Sequence, residues 1–275
     1  MREEKEVSLE APIGFEPMVR AEIDVNRDLS SVNIKRRSLF VPTKRLLVLA
    51  NSIKNDFRCI AGREIEGETR RLGPWIRPVS GSGHGELRRQ HYALEGGGFT
   101  SVLDLVDVPL ISAKDDPGQP ENWLVDENVL WTKVATFDAG RVHELAETPD
   151  SLWFEAGSRS DRISVPGQRL LTPQRSLVLV SPVDFKIRMW REFNPFQGYT
   201  QRKTRGVFNY GSQSYQLSIT DPVFTSNHCR IHPAAGDPPV VVEPPCGDRC
   251  LLCISLTSPF RDYHYKVIAT VLQLP

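Results

Sequence analysis

Long hydrophobic runs are missing from this sequence of 275 residues. The longest candidate, Leu46–Ala50, falls far short of the roughly 20 apolar residues that are needed to cross a bilayer. It is also too short, and too far along the chain, to be a secretory signal. We therefore predict no membrane association and expect a cytoplasmic location.

The sequence also has no net charge, because its 34 lysine and arginine residues balance its 34 aspartate and glutamate residues. A global field therefore favours neither nucleic acid nor a basic partner, and electrostatic recognition must come from local clusters. The five cysteines are an odd number in a chain without a predicted signal. This count argues against a disulfide framework.

Motifs of common catalytic sites are absent as well. The sequence contains no Walker-type GxxxxGK[ST], no HExxH and no GxSxG. The segment GGGF at 96–99 lacks the lysine and the helix that complete a phosphate-binding loop. These absences argue against an enzyme, and we predict no cofactor. The alternative is an enzyme that acts on nucleotides or nucleic acid through residues without a recognisable motif.

Turn-forming residues, in contrast, are plentiful, with 21 prolines and 19 glycines. This frequency favours many short strands over a helical bundle. In the first half of the chain, strand patterns occur in RLLVLA, FRCIAG, WIRPV, SVLDLVDVPLI and VLWTKVATF. After a helical middle, they return in LLTPQRSLVLVSP, DFKIRMW, TRGVFNY, SYQLSI, CLLCISL and YHYKVIATVLQL.

These patterns predict a mainly β protein with a few short helices, built as two OB-like β-barrels joined by a helical connector. Short strands leave exposed edges unless the sheet curls, which favours barrels. The predicted domains are a flexible N-terminal extension at 1–43, a first barrel at 44–136, a connector at 137–166 and a second barrel at 167–275.

Local signals add detail to this outline. Asp138 is expected to cap a short helix that runs through Glu147, and residues 158–168 read as linker. Asp221 followed by Pro222 has the chemistry of a second helix start. Between them, the segment GVFNYGSQSYQLSI predicts a hairpin with Gly211 at its tip.

Several segments, taken in order, resemble a known family, the dual OB-fold-containing domain family of bacterial proteins. Its first half is similar to LLVLANSIKNDFRCIAG, GPWIRPVS, LDLVDVPL and QPENWLVD. Its second half is similar to SLVLVSPVDFKI, FNYGSQSYQLSITDP and LLCISLTSPFRDYHYKVIATV. The resemblance starts at about Arg45 and departs from the family pattern at a Pro-rich, Cys-containing insert around 229–250. It implies two OB barrels and a nucleic-acid-binding accessory of a bacterial defence system.

A first candidate binding set lies in the N-terminal half. OB barrels stack bases on aromatic side chains and hold phosphates with surrounding cations. Trp75 and Arg77 are two residues apart, so in a strand their side chains point to one face. The alternative is that Trp75 is core and Arg77 a buried ion-pair partner. The residues of this set predicted to contact nucleic acid are Lys54, Arg58, Trp75 and Arg77, with Arg70 and Arg71 in the adjoining loop.

A second candidate set has a higher density of positive charge. From Lys186 to Arg205 the chain carries six basic residues, with Glu192 as the only acidic one. Aromatic residues interleave with them, as they do in surfaces that bind single strands. The alternative is a solvated strand face that carries cations for solubility and edge protection. The residues of this set predicted to bind are Arg188, Trp190, Arg202, Lys203 and Arg205.

A metal site is a third alternative, since CGDRC and CLLC have spacings that zinc ligands use. Cys250 and Cys253 differ by three positions, however, so in a strand they face opposite sides. Cys253 is therefore most simply a buried apolar residue. Loop cysteines without a ligand are the favoured interpretation. The alternative is a structural zinc site formed by Cys229, His232, Cys246 and Cys250.

Taken together, the sequence predicts a non-enzymatic protein that binds nucleic acid, with single-stranded DNA or RNA as its partner. Phosphate contacts would make this binding sensitive to salt. The alternative from another class is a protein-interaction adaptor, in which the same aromatic residues dock a neighbouring effector.

Overall fold

A computed structural model describes residues 42–54, 56–67, 71–195 and 197–275. The predicted N-terminal extension lies outside the described residues except for its last two positions, and Arg70 also lies outside them. The described part is mainly β with a few short helices, as the sequence predicts. Its strands form two sheets, which is consistent with a dual OB architecture.

The first sheet has six strands in the order β1-β2-β3-β5-β4-β6. β3 and β5 run parallel, whereas β1 pairs with β4 in the antiparallel sense, so the pairings lead back to the first strand. A short 3-10 helix at Arg89–Tyr92 lies between β3 and β4. The strands are β1 (Thr43–Lys54), β2 (Phe57–Glu66), β3 (Arg71–Val79), β4 (Asp104–Ala113), β5 (Asn122–Val125) and β6 (Thr132–Thr136).

The second sheet has eight strands and shares a five-strand order with the first, since β9-β10-β11-β14-β13 corresponds to β1-β2-β3-β5-β4. Its main path is β12-β9-β10-β11-β14-β13-β8, with β7 paired to β14, and β11 runs parallel to β14. Helix α2 (Pro222–His228) follows β11, the counterpart of β3, as the 3-10 helix follows β3 in the first sheet. The strands are β7 (Arg162–Ser164), β8 (Leu177–Val180), β9 (Val183–Asn194), β10 (Tyr199–Tyr210), β11 (Gln213–Ile219), β12 (Val240–Val242), β13 (Cys250–Leu256) and β14 (Tyr263–Gln273).

Strand β1 contains the apolar run LLVLA and is buried on both of its faces. Leu46 and Val48 pack inside the first sheet, whereas Leu47 and Leu49 pack into a core shared with the second sheet. Because successive side chains of a strand point to opposite faces, a strand buried on both faces needs a continuous apolar run. The other members of the shared core include Trp75, Val142, Leu145, Leu177, Leu179, Leu251, Cys253 and Ala269.

The segment between the two sheets is only partly helical. A 3-10 helix at Ala139–Leu145 is capped by Asp138, whose carboxylate accepts a hydrogen bond from the Gly140 amide at 2.9 Å. The prediction of linker at 158–168 is wrong for most of that stretch. It contains β7 and helix α1 (Val165–Arg169), because Arg162–Ser164 finds a pairing partner in β14. The predicted domain boundaries stay a prediction, since both sheets belong to one compact unit.

Other local predictions are confirmed. β10 and β11 form the expected hairpin, in which Tyr210 pairs with Gln213 and Gly211 has a φ of 57° at the tip. Asp221 caps α2 by accepting hydrogen bonds from the Val223 and Phe224 amides. No helix among the residues that the structure describes has the length and apolar character to cross a membrane.

Candidate nucleic-acid interface

The candidate interface is the antiparallel pair β9–β10, here called the cationic ribbon. At its base, Phe185, Ile187 and Met189 alternate into the core of the second sheet. Beyond Met189 on β9, and from Tyr199 to Arg205 on β10, no side chain is fully buried. The ribbon therefore extends past the core, and both of its faces are accessible in that part.

Two arginine pairs lie directly opposite each other across the ribbon, Arg188 with Arg205 and Arg191 with Arg202. Like charges at such positions repel each other and destabilise a sheet. Only Arg205 of these four forms an ion pair with a described carboxylate, at 3.4 Å from Asp161. The ribbon thus keeps uncompensated positive charge in an arrangement that does not favour folding.

One face of the ribbon organises its arginines around a tryptophan. The guanidinium carbons of Arg188 and Arg205 lie 5.4 and 5.8 Å from the centroid of the Trp190 ring. Both distances are within the range of cation–π attraction. Lys203 lies directly opposite Trp190 and completes this face. Only Nη1 of each guanidinium forms a side-chain hydrogen bond with a described residue, so each keeps further N–H groups that can donate to a phosphate.

The opposite face carries Arg191, Arg202 and the ring of Phe193, which is 60% exposed. His232 contacts this face, with its Nε2 3.1 Å from the Thr204 hydroxyl. Burial lowers the pKa of His232, and the positive charges of Arg202 and Arg191 lower it further. Neutral histidine beside the arginine pair avoids adding a third positive charge.

The residues of the second predicted set therefore lie on two different faces of the ribbon. Arg188, Trp190, Lys203 and Arg205 share one face, and Arg202 lies on the other. The sequence prediction did not include Arg191, although it is the direct partner of Arg202. The pairing of Arg191 with Arg202 depends on the register between β9 and β10, which the order of residues along the chain does not fix.

In the first predicted set, Arg58 lines a cleft of about 460 Å³, here called the aromatic cleft. The exposed rings of Phe57 and Phe99 line it as well, together with Asp56. The guanidinium carbon of Arg89 lies 4.3 Å from the centroid of the Phe99 ring. Arginine and aromatic side chains thus meet here from three separate segments, and the sequence prediction missed all of them except Arg58.

Trp75 and Arg77 are buried, at 8% and 6% exposed. The indole N–H of Trp75 donates to Glu147 Oε1 at 2.8 Å, and its ring belongs to the shared core. The Arg77 guanidinium donates to the side-chain oxygens of Asn122, Ser176 and Ser255 at 3.0 to 3.1 Å. Neither side chain offers a surface to a polymer, so we leave both out of the proposed interface.

Lys54, the remaining member of the first set, lies apart from the aromatic cleft. Its ammonium donates to the His84 carbonyl oxygen at 3.0 Å and approaches the Ser258 hydroxyl at 3.5 Å. It lines a different cavity, at the junction of the two sheets. The residues of the first set therefore lie in different places. Arg58 lines the aromatic cleft, Trp75 belongs to the shared core, and Lys54 and Arg77 lie at the junction of the two sheets.

The cysteines of the predicted zinc alternative are core residues. Cys229, Cys246 and Cys250 are buried within the second sheet's core, and His232 contacts Thr204 instead. Burial raises the pKa of Cys229 to about 11, and it raises the pKa of Cys250 as well. Zinc binds thiolates, which this burial disfavours. Within the described ranges, no three His, Cys, Asp or Glu residues are placed to hold a metal ion.

Lys266 on β14 provides a pH-dependent feature next to the ribbon. It is 3% exposed, and its ammonium donates to the Ser160 carbonyl oxygen at 3.0 Å. Burial lowers the pKa of Lys266 to about 8, against the opposite effects of Asp161 and Glu155. Because the unfolded lysine has a pKa near 10.4, the unfolded state binds more protons between these two values. Stability should therefore rise with pH in this window.

We expect the free energy of unfolding contributed by this group to increase by about 2 kcal/mol between pH 8 and pH 10. Urea unfolding at both pH values measures the change. Lys266→Met serves as the control, because it lacks the titrating group and should lose this increment. An identical pH dependence in both proteins would contradict the assignment.

Two sheets that share a five-strand order, with a short helix after β3 in the first and after its counterpart β11 in the second, define a tandem OB-type protein. A sequence model of the dual OB-containing domain matches residues 44–271, and the chain belongs to this family. The family resemblance found in the sequence is thereby confirmed. No curated protein matches the chain.

Proposed function

We propose that this protein binds single-stranded nucleic acid through the cationic ribbon. The observation that carries the proposal is the direct opposition of two arginine pairs, Arg188 with Arg205 and Arg191 with Arg202. An arrangement that costs stability needs a compensating interaction, and a phosphate backbone supplies one.

The alternative, a face that carries cations for solubility, predicts interspersed carboxylates. The first sheet shows that pattern, since Lys44 pairs with Glu64 at 2.7 Å and Arg45 pairs with Asp107 at 2.7 Å. On the ribbon, in contrast, only Arg205 forms an ion pair with a carboxylate of the described residues. The difference between the two surfaces supports a negatively charged ligand for the ribbon.

Exposed aromatic rings favour a single strand over a duplex. Phe193 and Tyr199 are 60% and 54% exposed near the end of the ribbon. Unpaired bases stack on such rings with little regard to sequence. The aromatic cleft offers further rings at Phe57 and Phe99, next to Arg58 and Arg89, and we propose it as a second contact for the strand.

Fluorescence anisotropy of labelled single-stranded DNA and RNA oligonucleotides, at several salt concentrations, tests the proposal. We expect saturable binding whose affinity falls as the salt concentration rises. In a plot of log affinity against log salt concentration, each phosphate contact should make the slope steeper by about 0.7. The same oligonucleotides annealed into duplexes are the control and should bind more weakly. Absence of binding to both single strands at micromolar protein would refute the proposal.

A protein-interaction adaptor is the competing proposal, supported by the same exposed rings of Phe193 and Tyr199. Co-purification from cells with and without nuclease treatment separates the two. A partner that stays bound after nuclease treatment, together with no binding of purified oligonucleotides, would favour the adaptor.

A further inference from the structure

A cavity of about 250 Å³ lies where the two sheets meet. Lys54, Cys59 and Arg77 line it from the first sheet, and Ser255 from β13 and Ser258 from the loop after β13 line it from the second. None of its described lining residues is acidic, although the whole chain has equal numbers of acidic and basic residues. The cavity thus concentrates positive charge in an otherwise neutral protein.

Arg77 is the buried cation of this cavity, 6% exposed. Asn122 and Ser255, two of the residues that accept its hydrogen bonds, also line the cavity, so its guanidinium end faces it. Three of its five N–H donors are used by these two residues and Ser176. The other two donors are available to a ligand.

The charge of Arg77 is compensated only indirectly. No carboxylate of the described residues lies within ion-pair distance of it. Glu121 is one hydroxyl away, because Ser176 Oγ donates to Glu121 Oε2 at 2.7 Å and accepts from Arg77. A buried cation with neutral direct partners favours an anion beside it.

Lys54 supplies a second cation to the same space. Burial raises the pKa of the Cys59 thiol, and the positive charges of Arg77 and Lys54 lower it. Both cations therefore act on one point of the cavity wall. Glu86 acts on this thiol in the opposite sense, but it does not line the cavity.

We propose that this cavity binds the phosphate group of a small phosphorylated molecule. A phosphate monoester carries a charge close to −2 at neutral pH, which matches the two cations. The hydroxyl of Ser258, which accepts from Lys54, keeps its own O–H to donate to a phosphate oxygen. Ile53, Val79 and Leu256 provide an apolar wall for the organic part. The limited volume selects a small molecule over a polymer, so this site is independent of the cationic ribbon.

Isothermal titration of the full chain with inorganic phosphate, and then with glycerol 3-phosphate, tests this site in the absence of nucleic acid. We expect saturable binding of both and a melting temperature that rises with their concentration, because the ligand contacts both sheets. Glycerol, and chloride at matched ionic strength, are the controls and should produce neither effect. The same rise with chloride, or no saturable binding of either phosphate probe at millimolar concentration, would overturn the proposal.

Three single-residue variants test whether phosphate binds in this cavity. Lys54→Met should weaken phosphate binding by roughly tenfold, because it removes a charge-assisted hydrogen bond. Lys44→Met, which removes a lysine outside the cavity, should bind phosphate as the wild type does. Ser258→Ala gives a milder variant that keeps both cations, and we expect a smaller loss. Equal phosphate affinity in Lys54→Met and the wild type would contradict the assignment. Failure of oligonucleotide binding would leave this result unaffected.

Discussion

Replacing Arg191 and Arg202 together by glutamine should lower the affinity for single-stranded nucleic acid by about 10- to 100-fold. The estimate assigns one charge-assisted phosphate contact to each arginine. The slope of affinity against salt should also become less steep by about 1.4, since each lost contact removes about 0.7. Anisotropy titrations of the variant and the wild type over a salt series measure both quantities.

The same double variant should fold at least as well as the wild type. Arg191 and Arg202 are directly opposite and repel each other, so their removal relieves a cost of up to about 1 kcal/mol. Loss of binding combined with unchanged or higher melting temperature is the signature of a functional charge pair.

A matched control removes two arginines elsewhere. Arg141→Gln with Arg249→Gln changes the net charge by the same amount at exposed positions outside the ribbon. We expect this control to bind nearly as the wild type does. If both double variants lost affinity equally, overall charge rather than the ribbon would account for binding, and the proposed interface would be wrong.

Replacing Arg77 by alanine should destabilise the protein by about 3 kcal/mol. The substitution leaves the oxygens of Asn122, Ser176 and Ser255 without their donor in a buried place. It also removes the positive charge that partly compensates Glu121 through Ser176. For a chain of this size, the melting temperature should fall by roughly 6 to 12 °C.

Scanning calorimetry of Arg77→Ala, Arg77→Lys and the wild type tests this prediction. Lysine keeps the charge but not the planar fork of donors, so its melting temperature should lie between the other two. A wild-type melting temperature for Arg77→Ala would show that the hydrogen bonds across the sheets contribute nothing to stability.

The sequence predicted the fold well because the apolar patterns are strong. RLLVLA and DFKIRMW lie within strands, all but the last residue of YHYKVIATVLQL does too, and Asp138 and Asp221 cap helices as expected. The sequence missed β5, whose first residues read as the end of a polar loop. That strand is specified by its pairing with β4 and, in the parallel sense, with β3, which is more than 40 residues away in sequence.

The sequence predicted the candidate site less well, because its residues depend on which face of a strand is covered. Trp75 and Arg77 have a spacing typical of an exposed binding face, yet the second sheet covers them. The spacing of residues along one strand does not contain that information. The aromatic cleft had no signal either, since Phe57, Arg89 and Phe99 come from separate segments.

The two-sided burial of β1 has a consequence for how the molecule can be divided. Leu47 and Leu49 would be exposed to water if the first sheet were separated from the second. At about 25 cal/mol for each Å² of apolar surface, exposing the side chains of this shared core to water costs several kcal/mol. We therefore expect that neither half of the chain, expressed alone, is as stable as it is in the whole protein.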